Sequence, residues 1–154
     1  MTIPALDGNH LPIGVYDCTF DELTNIFGYD PDRAGFIRKI SDYILLLRKY
    51  GASGWIMVNG SFVTSSKSPG DIDIIVVMNR KAMGNQSAED RCALQNLFDP
   101  EVAAIFGLDS IPGYADGATR DGFRNETEYV TYYMEYFTTV KYSDERKGIL
   151  RIEL

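Results

Sequence analysis

Hydrophobic and polar positions change period along the chain, and each change marks an element. Residues 1–18 are broken by prolines and glycines and lack a helical period, so they are expected to lie extended over the domain. Thr19 with Glu22 forms a capping-box pattern, which makes FDELTNIF a short helix closed by Gly28. Asp30-Pro31 opens a second helix, about residues 31–50, with Phe36, Ile40, Tyr43, Ile44 and Leu47 on one apolar stripe and Gly51 at its end. Its cations, Arg33, Arg38, Lys39, Arg48 and Lys49, read as a solvated face. The period then shortens: two β-rich apolar runs, at 55–59 and 71–78, read as strands.

Beyond them, Ser87 and Asp90 start a capped helix to about Phe98, and Asp99-Pro100 starts a short one closed by Gly107. Leu108 to Ile111 reads as a short strand, and 112–125 as an exposed, irregular Gly-rich loop, with the alternative that its Tyr114, Arg120 and Arg124 close over a nucleotide base or acceptor. Residues 126–140 carry Tyr129, Tyr132, Tyr133, Tyr136 and Phe137 at helical spacing, an aromatic stripe that reads as core or as a partner-binding face. ILRIEL, after the charged turn SDERKG, alternates as a final strand. Helices between short strands predict a single α/β domain over 1–154, with a mixed, twisted sheet and helices mainly on one face.

The candidate chemistry sits between the two central strands. Alternation along a strand points Asp71 and Asp73 to the same side, about 6–7 Å apart, while Ile72 and Ile74 face the packed side. Two carboxylates at the end of an apolar strand are costly unless a cation neutralises them, and their hard oxygens suit Mg²⁺ or Mn²⁺. Gly60-Ser61 follows the first strand; there a glycine frees the backbone and a serine with neighbouring N–H groups can donate to phosphate oxygens. Lys67 is the charged residue of the connecting loop and could reach a triphosphate; a solvated loop lysine is the alternative.

A strand, then Gly60-Ser61, nine residues, then Asp71-Ile-Asp73-Ile resembles the signature of the nucleotidyltransferase superfamily, with its polymerase-beta-like catalytic core. GSFVTSSKSPGDID, LPIGVYDCTFDEL and ERKGIL look like a small prokaryotic nucleotidyltransferase-like group, so the likeness runs over most of the chain. The resemblance implies a nucleotidyltransferase-like fold and transfer of a nucleoside monophosphate from a nucleoside triphosphate to a hydroxyl on a protein, an RNA end or a small molecule. It also implies that Asp71 and Asp73 bind two Mg²⁺ ions, that Gly60 and Ser61 grip the triphosphate, and that Lys67 offsets its charge. A third carboxylate on a separate strand completes such a metal cluster. Asp109 is the best match by position, with Asp99, Asp116, Asp121 and Glu135 as competitors. Similar small enzymes work in toxin–antitoxin or phage-defence pairs, and a homo-oligomer or a partner subunit would supply what a second domain supplies in larger relatives. The alternative is an inactive member that senses nucleotides or binds proteins; a phosphohydrolase using water as acceptor is a third option.

Composition narrows the partners. Fifteen basic against 22 acidic residues leave a net charge of −7, which opposes sequence-independent binding to duplex nucleic acid. A triphosphate remains compatible, because a divalent ion screens it. Neither a membrane span nor a signal peptide is recognisable, so a cytoplasmic protein is expected. Cys18 and Cys92 are too few for a disulfide framework, and His10 cannot make a zinc cluster or a triad alone; it reads as part of a solvated turn.

Overall fold

The computed structural model describes residues 3–66, 72–79, 81–114, 135, 139–140 and 145–154. Its strands are β1 (Val15–Asp17), β2 (Gly54–Asn59), β3 (Ile72–Met78), β4 (Leu108–Tyr114) and β5 (Ile149–Glu153). The helices are α1 (Phe20–Phe27), α2 (Pro31–Lys49), α3 (Ala88–Leu97) and α4 (Pro100–Ile105).

The caps form where the sequence calls for them. Both arms of the Thr19–Glu22 capping box are made, at 3.1 and 2.7 Å. Asp30 accepts from the Arg33 N–H at 2.8 Å, with Pro31 in the first turn of α2, and Ser87 caps α3 in the same way. Asp99 accepts the Glu101 N–H at 2.8 Å, so the sequence reading of this carboxylate as a possible third metal ligand has a simpler account in capping α4.

Among the described residues, five strands form one mixed sheet in the order β1-β5-β2-β3-β4. The centre, β5-β2-β3, is antiparallel, and each edge strand joins in parallel, β1 to β5 and β4 to β3. Two segments read as irregular become strand. Val15–Asp17, within the expected extended terminus, pairs with β5, and β4 runs on to Tyr114 because its pairing with β3 continues to Met78. Pro112 is tolerated there because β4 is an edge and needs hydrogen bonds on one side only.

Even-numbered positions of β2 and β3, Ile56, Val58, Ile72, Ile74, Val76 and Met78, join the main core with the buried apolar residues of α1, α2, α3 and α4. In α2 the buried stripe is Ile37, Ile40, Tyr43, Ile44 and Leu47; Phe36 packs at its margin. Burying one such side chain contributes about 1.5–3 kcal/mol, so this face supplies most of the stability. On the opposite face, Met57, Ile75, Val77 and Ile149 form a second, smaller buried cluster with Trp55 and Ile111 at its margin.

The predicted aromatic helix lies largely outside the described residues. At its end Thr139 forms an antiparallel bridge with Arg146 and the Val140 N–H donates to the Glu145 carbonyl, so the helix does not reach Val140. Gly148 is required by close approach: a Cβ there would stand 2.1 Å from the Pro12 carbonyl oxygen. No helix among the described residues is long and apolar enough to cross a membrane.

Candidate active site

Asp73 points away from the helices, because its parity in β3 is that of Ile75 and Val77 in the second cluster. The register sets its neighbours. On one side Asn59, the last residue of β2, is its partner, and on the other Asp109 of β4 is. A row Asn59, Asp73, Asp109 therefore crosses three adjacent strands on one face, with neighbouring strands about 4.8 Å apart. Asn59 is buried, Asp73 half-buried and Asp109 exposed, so the row runs from the sheet interior to the outermost of the described strands.

Two carboxylates in register on neighbouring strands repel one another. That arrangement fits a divalent cation, since both present hard oxygen donors toward one side of the sheet. Of the other candidates for the third carboxylate, Glu135 is exposed, and Asp116 and Asp121 lie outside the described residues. So do Asp71, two residues before Asp73, and Lys67.

The turn expected to hold phosphate begins at the same end of the strands. Gly60 follows Asn59 directly with φ 90° and ψ −177°, a conformation that a residue with a Cβ rarely adopts. A single 3-10 turn, Ser61–Val63, comes next, closed by the Val63 N–H donating to the Gly60 carbonyl at 3.2 Å. β2 thus delivers Asn59 and the Gly60-Ser61 backbone beside the residue at which β3 delivers Asp73.

What fixes this turn is a residue that sequence reasoning assigned to solvent. Arg33 is fully buried, not part of a solvated face. Its Nη1 donates to the carbonyls of Phe27 at 3.2 Å and Phe62 at 2.7 Å, and its Nη2 to those of Thr64 at 2.9 Å and Ser66 at 2.6 Å. The guanidinium also lies over the rings of Tyr29 and Phe62, and Asp30 is 3.9 Å from Nε. A buried cation is costly unless it is surrounded by acceptors; here carbonyls serve both Nη groups, while Nε is enclosed without a hydrogen-bond partner. The signal was present in the sequence: position 33 begins the stripe continued by 37, 40, 44 and 47.

The N-terminal segment holds the turn from outside. Ser65 donates through its hydroxyl to Asn9 Oδ1 at 2.7 Å and through its N–H to the Asn9 carbonyl at 3.2 Å, and His10 bridges to Thr64. His10 is therefore half-buried rather than solvated, its Nδ1 enclosed. Asn59 is the other residue the sequence reading passed over; an amide ending an apolar run just before Gly-Ser was its only mark.

A cavity of about 840 Å³ lies at the opposite end of β2 and β5, lined by Cys18, Trp55, Asn79 and Arg151 among others. Its cations are already engaged. Arg151 makes a bidentate pair with Asp17, whose carboxyl that hydrogen bond holds below its ordinary pKa, and Arg48 donates to the Glu153 carbonyl at 3.1 Å. It is separate from the acidic row.

The chain belongs to DUF6932, a family of unknown function whose model matches residues 4–153. Neither a curated protein nor a solved structure matches it.

Proposed function

We propose that this protein is a metal-dependent nucleotidyltransferase of the polymerase-beta-like type, transferring a nucleoside monophosphate to a hydroxyl acceptor. The observation that carries the reading is the register of Asp73 with Asp109, on the same face and at the same strand end as the Gly60-Ser61 turn. In the nucleotidyltransferase reading of the sequence, Asp109 is the third carboxylate, and parallel pairing puts it beside the second.

In this reading the Gly60-Ser61 backbone takes the triphosphate, and Asp71, Asp73 and Asp109 hold the cations. Mg²⁺, when bound, supplies charge neutralisation at the phosphates. The acceptor oxygen bonds to the α-phosphorus, the bond from that phosphorus to the bridging oxygen breaks, and pyrophosphate leaves. Asp109, the exposed member of the row, accepts the acceptor's proton. Lys67 and Asp71 keep the roles that the resemblance gives them. Exposure of Asp109 at the sheet edge leaves room for a bulky acceptor, a protein or an RNA end as readily as a small molecule.

The test is incubation with each α-labelled nucleoside triphosphate and Mg²⁺, followed by separation of labelled products. Product that vanishes in Asp73→Asn and Asp109→Asn supports the transferase. Nucleotide binding without turnover supports a sensing module, and breakdown without a labelled acceptor supports a phosphohydrolase.

A further inference from the structure

We propose that Arg33 is a positioning residue for the triphosphate subsite, setting the backbone of the 61–66 turn from inside the protein; this rests on the nucleotidyltransferase reading. Three of the four carbonyls it binds, those of Phe62, Thr64 and Ser66, belong to that turn, and the fourth, of Phe27, ends α1. All four N–H bonds of the two Nη groups are thereby used.

The chemistry of the donor explains why an arginine stands here. A guanidinium is permanently charged, planar and forked, so it can hold carbonyls from two segments in one fixed geometry. A lysine ammonium has three donors on a flexible stem and cannot hold four acceptors at once. Because the cation has no exposure to water, releasing the turn would take away three of the four carbonyls it binds and leave that of Phe27. The turn is consequently held to a single arrangement before any ligand arrives, and a subsite built on its backbone has little ordering left to do. Asn9 provides an independent, exposed grip on the same turn through Ser65.

The experiment compares wild type, Arg33→Lys and Asn9→Ala. Binding of ATP, GTP, CTP and UTP, each with Mg²⁺, is followed by titration calorimetry at a temperature where circular dichroism shows all three folded. Amide hydrogen exchange is measured on the same samples. Arg33→Lys is expected to weaken binding of the preferred nucleotide at least tenfold and to speed exchange at residues 62–66, with α3 and β3 unchanged. Asn9→Ala is expected to do the same to a smaller extent, about two- to threefold, with unaltered thermal stability, which a merely structural role would not produce. Folded Arg33→Lys that binds nucleotide as tightly as wild type overturns the proposal, as does exchange in the turn equal to wild type. Should wild type bind none of the four nucleotides while Arg33→Lys still loosens the turn, the transferase reading fails and the role proposed for Arg33 fails with it. Should Asn9→Ala speed exchange in the turn and still bind nucleotide as tightly as wild type, the arrangement of the turn does not govern binding and the proposal is overturned.

Discussion

The two faces of the sheet are built from the same strands and obey different rules. Under the helices, β2 and β3 present only apolar side chains, from Ile56 through Ile74 to Met78. On the other face the middle of the sheet is apolar too, with Met57, Ile75 and Val77, but one strand end carries Asn59, Asp73 and Asp109. Packing requires the first pattern and gives no reason for the second. Acids gathered in one register row at a strand end depart from the apolar pattern of the rest of that face, and such departures gather at functional sites.

The contrast is broken most sharply by exchanging stability for chemistry. Ile74→Ala, on the helix face, is expected to cost about 2–5 kcal/mol in urea unfolding, because the surrounding helices cannot collapse into the space. Asp73→Asn, the preceding residue on the other face, is expected to leave stability within about 1 kcal/mol of wild type or to raise it by relieving repulsion with Asp109. Equal losses in the two variants would mean that Asp73 is a packing residue.

Tyr43 tests the polar contact within the helix face. Its hydroxyl donates to the Leu97 carbonyl at 2.7 Å and lies 2.9 Å from Ser110 Oγ, tying α2 to the end of α3 and to β4. Tyr43→Phe is expected to cost about 1–2 kcal/mol by leaving that carbonyl without its donor. Burial pushes the Tyr43 phenol up to about 12 from 10.0, and the Cys18 thiol up to about 12 from 9.0. Both groups keep their protons in the folded chain where the unfolded chain has lost them. Their stabilising contribution is therefore complete below pH 9 and falls away as pH rises, from about 9 for Cys18 and about 10 for Tyr43, until near 12. Urea midpoints from pH 8 to 12 should show this decline, and Tyr43→Phe should flatten its part above pH 10.

The smallest effect concerns the thiols. Cys92 is exposed, whereas Cys18 is half-buried with its thiolate disfavoured by burial. Iodoacetamide at pH 8 should alkylate Cys92 at least about tenfold faster, and urea should remove the difference. Equal rates in the folded protein would show that Cys18 is open to solvent.

Local signals were legible where they were short and complete. The caps at Thr19, Asp30, Ser87 and Asp99 each need only three or four residues, and all form. Strand identity in β2 and β3 followed from β-branched runs, and the strand at Leu108 from its position after a capped helix. What required three dimensions was pairing: nothing within Leu108 to Ile111 says that Asp109 will stand beside Asp73. The same holds for β1, three residues long and paired in the sheet with β5. Arg33 was misread because charge outweighed periodicity. The carbonyls that satisfy it come from residues 27 and 62 to 66, most of them about thirty positions away, and no local pattern announces them.

The transferase reading stands or falls on the adjacency of Asp73 and Asp109. Mg²⁺-dependent transfer of α-labelled nucleotide, compared between wild type, Asp73→Asn and Asp109→Asn at matched folded concentration, tests it most directly. The account predicts labelled product with wild type and a loss of at least about a hundredfold in each variant. Full labelling by either variant would contradict it.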